Sequence, residues 1–521
     1  MKKLGSSSIL KNVSASWLGL VVNVVTGLIV SPYILHKLGD EAFGLWVLVF
    51  AITGYYGLFD FGIRSSVIRY VARFTAIDKK EELNKLVSTT LFSYACVGLL
   101  LLTITGVASF FVGSIFKVHS EHVRTTRILF LMVGGSLSLG FPLAVFGGML
   151  EGLQKFYLLN LINIVNTLLR AILVVLVLNW GYGLLTVAAV TVIFPIINGL
   201  VNAYNALRLT RAQISFQHVS KATYREVISY SSGVFLVSLA TKLRFKTDAI
   251  IIGTFLSSAA VAHFAIGSRL VDYANDTVSS LAQIFVPMSS QSQARGDVRQ
   301  LQKMFVAGNR GCALIIFPIT VVFLILGKSI IEVWMGAKYI ATSYPVLVVL
   351  IIPSTLMLAQ ATSGRMLYGM AKHRTWSRIV LIEGAANIIL SVVLVQRFGI
   401  LGDAFGTAIP LTFTMLYFLP RHLCRLLDIR IGAYVREAFV LPLALCVPLA
   451  LTLVVLQRWY VPHTYIQLAG QLLIAGMVYG GSLLWAVSTR RVFDVGPFSK
   501  AAAAAERSVP IVETFQEEVE T

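Results

Sequence analysis

The chain has 521 residues, 57% of them apolar and only 13% charged, with a mean hydropathy of +0.80; soluble proteins carry about 25% charged residues, so a water-soluble globular class is excluded. Apolar runs of about 20 residues recur along most of the length, each long enough to cross a ~30 Å hydrocarbon layer as a helix, which excludes β-barrel alternation. The fold class is an all-α polytopic membrane protein. The net charge of +19 must therefore be sorted by position relative to the spans before it is read as affinity for any partner.

At the N-terminus Lys2, Lys3 and Lys11 precede an apolar run that is longer than a signal-peptide core and lacks a small-residue cleavage site, so it reads as the first span. Hydropathy places spans near 13–36, 42–63, 86–113, 128–150, 157–179, 183–206, 228–254, 260–288, 305–327, 343–367, 378–396, 400–422, 437–457 and 467–488, fourteen in all. With both termini cytoplasmic and residues at span ends counted with the adjoining loop, 30 of the 43 Lys and Arg fall in inner segments, eight in outer loops and five within spans. This bias supports a multi-pass membrane protein with both termini inside, and it assigns most of the positive charge to insertion and to anionic headgroups. Nucleic acid is not an expected partner.

A self-comparison adds an internal repeat. "GGMLEGLQK" (147–155) matches "GRMLYGMAK" (364–372) at an offset of 217, and "YILHKLGDEAFGLW" (33–46) aligns with "IIIGTFLSSAAVAHF" (250–264) near 218. Two distant regions sharing one offset predict a duplication of six spans followed by two extra helices. The expected organisation is an N-terminal six-helix bundle over 1–206, a cytoplasmic linker over 207–227, a C-terminal six-helix bundle over 228–424, two further spans over 425–488, and a cytoplasmic, disordered tail over 489–521. Six is even, so the halves share an orientation and are pseudo-symmetric about a central cavity, as in parallel-repeat transporters that work by rocking.

The five intramembrane bases are Arg170, Lys242, Arg244, Lys246 and Arg269. Three of them crowd the seventh span in "TKLRFKTDAI" (241–250), where each costs roughly 2.5–3.5 kcal/mol near the bilayer centre. Arg244 and Asp248 form one i,i+4 pair; Lys242 and Lys246 share another face and need anions from elsewhere. The eighth span offers Arg269, Asp272 and Asp276 on one face, and the eleventh adds Glu383. Structural ion pairs account for part of this set. A water-filled cavity of both signs accounts for all of it: the bases suit a phosphate group, and the acids Asp272, Asp276 and Glu383 suit coupling to a proton or sodium ion.

Asp60 and Arg64, in "GLFDFGIRSS" at the inner end of the second span, form an i,i+4 pair that reads as a helix-end salt bridge or an inner gate. His36, His119, His122 and His263 lack metal-ligand spacing and read as outer-surface residues, and the four cysteines show no disulfide or zinc pattern. No metal, cofactor or nucleotide motif is expected.

The stretch "SPYILHKLGDEAFGLWVLVFAITGYYGLFDFGIRSSVIRYVARF" (31–74) resembles the first two spans of the bacterial polysaccharide flippases of the O-antigen type, in the superfamily shared with multidrug and toxin extruders and lipid II flippases. Pro32, Leu38–Gly39, Gly44, "FDFG" at 59–62 and the basic run after it carry the resemblance; "TDAIIIGTFLSSAAVAHFAIGSRLVDY" (247–273) and the later "VPMSSQ" extend it into the second half. What the resemblance implies is a non-enzymatic transporter of undecaprenyl-diphosphate-linked oligosaccharide in the bacterial inner membrane, working among membrane lipids and alongside polysaccharide polymerase machinery. A cation-coupled multidrug exporter and a membrane glycan polymerase or ligase remain as alternatives. An exporter favours an acid-dominated cavity, whereas a polymerase needs an outer catalytic surface that the short outer loops do not offer.

Overall fold

The computed structural model describes residues 6–228, 242, 247–372, 374–489 and 491–492, with side chains from Leu18 onward. Most of the expected seventh span, including Arg244 and Lys246, and nearly all of the tail lie outside the described residues. The described helices are α1 (Ser6–Gly54), α2 (Ile63–Ala76), α3 (Lys80–Ile115), α4 (Val123–Gly152), α5 (Phe156–Asn179), α6 (Leu184–Thr210), α7 (Asp248–Phe255), α8 (Ser258–Ala282), α9 (Phe285–Ala294), α10 (Val298–Met335), α11 (Ile340–Ala359), α12 (Ala361–Gly369), α13 (Arg374–Phe413), α14 (Leu419–Leu426), α15 (Ile431–Val435), α16 (Leu441–Trp459) and α17 (Tyr465–Ser488).

Among the described residues, ten helical stretches are long and apolar enough to cross a membrane. Two of these are too long for one pass. The stretches 18–60 and 374–426 hold 43 and 53 residues, so at 1.5 Å per residue each is at least ~65 Å of helix, about twice the hydrocarbon thickness. Each contains a break at a glycine, Gly39 (φ 82, ψ 172) and Gly399 (φ 58, ψ −140), in backbone conformations that side chains resist. These breaks coincide with the outer turns expected near 37–41 and 397–399. The eighth expected span, α8, is not among the ten, because Arg269, Asp272 and Asp276 dilute its apolarity.

The chain folds into two compact units. The first comprises Met1–Ser268, Trp334–Val346 and Val380–Thr407, and the second Arg269–Val333, Leu347–Ile379 and Ala408–Thr521. In the first unit α4 packs against α2, α3 and α6, while α5 packs against α1 and α6. One of its buried clusters draws Val67 and Val71 from α2, Leu86 and Tyr94 from α3, and Phe146 and Met149 from α4. Tyr33 of α1 donates its hydroxyl to Asn179 Oδ1 of α5. In the second unit α9 packs on α12 and α16 on α17. Thr464 and Gln467 form a reciprocal capping box that starts α17, satisfying N–H groups a helix start otherwise leaves open. Leu326 of α10 is buried with Leu449, Leu453 and Ala475, which fixes the last two helices to α10.

Candidate substrate and coupling sites

Gly54 closes α1, and the chain tightens into a 3-10 turn over Tyr55–Asp60. The last carbonyls of a helix lack N–H partners and carry the negative end of its dipole. Lys242 answers one of them: its Nζ donates to the Gly54 carbonyl at 2.9 Å. Tyr55 braces the same place, donating to the Lys242 carbonyl at 3.4 Å and meeting Thr247 Oγ1 at 2.9 Å. Lys242 is therefore held at the C-terminal end of α1. Arg244 and Lys246, expected beside it, fall outside the described residues.

The remaining bases differ in their surroundings. In the second unit Arg269 Nη1 lies 3.9 Å from Asp272 Oδ2, and its guanidinium sits 4.9 Å from the Tyr273 ring centroid. Asp276, one turn further along, adds its charge to the same cluster. Arg170, half-buried in the middle of α5, has no ion pair with any described residue.

An acid site that the hydropathy reading did not isolate lies in the first unit. Asp403 of α13 is completely buried, and neither of its carboxyl oxygens has a hydrogen-bond partner among the described residues. Asp248, at the start of α7, is near enough for the two charges to interact. Around them α13 supplies a polar frame: Thr407 donates to Asp248 Oδ1 at 3.0 Å, Asn387 donates to Thr407 Oγ1 at 2.9 Å, and Ser391 donates to the Asp403 main-chain carbonyl at 3.2 Å. Glu383, one turn before Asn387, is also buried. Asp403, buried next to a second carboxyl, is suited to hold a proton or a cation. The signal was present in "GILGDAFGTAIP" (399–410), where Asp403 and Thr407 stand four apart in an apolar run. Hydropathy averages over the 400–422 span, so a lone acid inside it does not stand out.

At the expected inner gate, the Arg64 guanidinium pairs with Glu151 Oε1 at 2.6 Å, so the i,i+4 partner inferred from spacing is replaced by a residue 87 positions away. Asp60 instead accepts from the Arg64 main-chain N–H at 3.4 Å and from the Tyr94 hydroxyl. The histidines, widely spaced in sequence, gather about two adjacent acids: His263 Nε2 is 3.6 Å from Asp40, which also binds Lys338 and Tyr339, while His119 and His122 flank Glu41 at 3.2 and 3.0 Å. His36 meets the Met335 carbonyl at 2.8 Å. No group of three or more His, Cys, Asp or Glu suited to a metal ion occurs among the described residues.

The family of polysaccharide biosynthesis proteins matches residues 9–293, more than half of the chain. The chain belongs to that family. It is 21% identical over 407 residues to a Shigella flexneri protein provisionally named an O-antigen transporter, covering 77% of the chain and 94% of that relative. It is 20% identical over 416 residues to a Haloferax volcanii protein provisionally named the flippase AglR, covering 79% of the chain and 82% of the relative. Among solved structures, the lipid II flippase MurJ in an inward closed conformation superposes with a TM-score of 0.71 at 16% identity, covering 93% of this chain and all of that one. An inward-facing multidrug resistance transporter of the MATE family superposes with a TM-score of 0.67 at 14% identity, covering 82% and 98%. The family is one of membrane transporters, not enzymes, and the fold is that of MurJ and MATE proteins.

Proposed function

We propose that this protein is a flippase that moves a polyprenyl-diphosphate-linked oligosaccharide from the cytoplasmic to the outer leaflet of the plasma membrane for surface polysaccharide synthesis. The observation that carries the reading is Arg170: a guanidinium in the middle of a 24-residue apolar helix, without an ion pair among the described residues. Such a charge costs several kcal/mol in hydrocarbon, and the most economical occupant of its fork is an anion that comes and goes. A diphosphate fits that fork in geometry and charge. Lys242, Arg244, Lys246 and Arg269 complete the cationic set in this proposal, and the names of the relatives support a glycan as the group attached to the phosphate.

The chain makes fourteen passes in this reading, with both termini cytoplasmic, two six-span halves and two further helices, and it exposes its substrate alternately to the two sides. The driving cation binds at Asp248 and Asp403, with Glu383 nearby, in place of the expected Asp272 and Asp276, whose charges sit with Arg269. Arg64 and Glu151 form the inner latch.

A deletion strain tests the whole. It is expected to lose its surface polymer and to accumulate polyprenyl-linked repeat units on the inner leaflet, with Arg170→Ala giving the same phenotype at normal protein levels. A second reading, a cation-coupled drug exporter, is favoured by the pairing of Asp248 with the buried Asp403 alone. Drug hypersensitivity with normal surface polysaccharide would establish it instead.

A further inference from the structure

The first unit contains a cavity of about 520 Å³ between α1, α5 and α6, within the ~300–1,000 Å³ range of small-molecule sites. Its polar lining is almost entirely carboxamide: Asn23 from α1, Asn160, Asn163, Asn166 and Thr167 from α5, and Asn198 from α6. None of the residues lining it carries a charge and none is aromatic. Asparagine also serves as glue between membrane helices, and part of this set does so. Asn202 donates to Asn198 at 2.7 Å, Asn198 to Asn163 at 2.8 Å, and Asn166 to the Phe194 carbonyl at 3.0 Å.

Packing does not use up the set. A carboxamide offers two N–H donors and a two-lone-pair acceptor. Asn163 accepts within the ladder, but its own amide nitrogen has no partner among the described residues, nor does the Asn23 side chain. Unfilled amide donors and acceptors in an apolar segment cost free energy unless water or a ligand meets them. A second relationship says what that ligand adjoins. Arg170 follows Thr167 by three, Asn166 by four and Asn163 by seven, so it lies on the same face of α5, about one turn beyond the cavity.

We infer that this cavity is a saccharide subsite: it takes uncharged hexose or acetamido-hexose units of the cargo while Arg170 holds the adjoining diphosphate. The inference rests on the flippase reading. Sugar hydroxyls and acetamido groups both donate and accept, as carboxamides do, so a ladder of amides meets them without burying a charge. Charged side chains would be mismatched to neutral sugar. Gly19 keeps the cavity open on the α1 side, because a Cβ there would lie 3.8 Å from Asn160 Oδ1 and a longer side chain would enter the space.

The test uses the full-length protein in lipid nanodiscs and two probes, a short-chain polyprenyl diphosphate and the same lipid carrying N-acetylglucosamine. Wild type is expected to bind the glycosylated lipid about tenfold or more tightly than the bare one. Asn163→Leu and Asn198→Leu should abolish that preference with bare-lipid affinity held within about twofold. Gly19→Leu, which leaves every amide in place, should do the same and guards against misfolding of the asparagine variants. Arg170→Gln should weaken both lipids alike. Equal binding of the two lipids by wild type, or a preference untouched by Gly19→Leu, would overturn the saccharide assignment while leaving the flippase reading intact. Failure of wild type to bind either lipid would overturn both.

Discussion

Asp403 is buried beside Asp248 without a hydrogen bond to either carboxyl oxygen among the described residues, while Asp248 holds Thr407 at 3.0 Å. One carboxyl is framed and the other is open, which is the asymmetry expected of a site that gains and loses a cation. Asp403→Asn should fold normally and lose at least about tenfold of cation-driven transport, because the amide keeps the volume but removes the charge that retains a cation. Thr407→Val should give a smaller loss, since it removes only the hydrogen bond to Asp248. Substrate-dependent proton or sodium flux in proteoliposomes measures both, and unchanged flux in Asp403→Asn would dismiss the site.

Lys242 and Gly54 make a second testable contact, because the ammonium covers a carbonyl at the end of α1. Lys242→Met should destabilise the protein by about 1–3 kcal/mol through the unsatisfied carbonyl, whereas Lys242→Arg, which keeps the donors, should lose less than half of that. Thermal unfolding in detergent reports the difference. Equal loss in the two variants would show that the contact contributes nothing.

The Arg64–Glu151 pair spans α2 and α4, with side chains 42% and 23% exposed. Partial exposure screens it, so a double-mutant cycle with alanine should yield a coupling of about 1 kcal/mol. The corresponding Arg64–Asp60 cycle should give less, since what Asp60 accepts from Arg64 is its main-chain N–H and not its guanidinium. A reversed order would restore the i,i+4 pair as the inner latch.

Gly39→Ala and Gly399→Ala introduce a Cβ at φ 82, ψ 172 and φ 58, ψ −140. Each should cost about 1–3 kcal/mol by backbone strain alone, because no heavy atom outside the immediate chain lies within 4 Å of the added carbon. Melting midpoints in detergent should fall for both, with Gly106→Ala, in regular helix with similar free space, unchanged or slightly raised. A fall in all three would point to helix packing in place of the turns.

Hydropathy, the charge bias and the loose motifs around 31–74 sufficed for the membrane class, the all-α fold and the family, because a bilayer demands long apolar segments whose signature is local in sequence. The bases Arg170 and Lys242 were also legible in this way, since one charge in an apolar run stands out by itself. What the linear order did not disclose was partnership. Glu151 reaches Arg64 across 87 residues, Asp403 lies beside Asp248 across 155, and three histidines from two distant segments meet Asp40 and Glu41. The asparagines at 23, 160, 163, 166 and 198 are unremarked polar residues until α1, α5 and α6 bring them around one cavity. Helical spacing reports only neighbours three or four residues away on one cylinder, and the chemistry of a transporter lies in what different cylinders present to the same space.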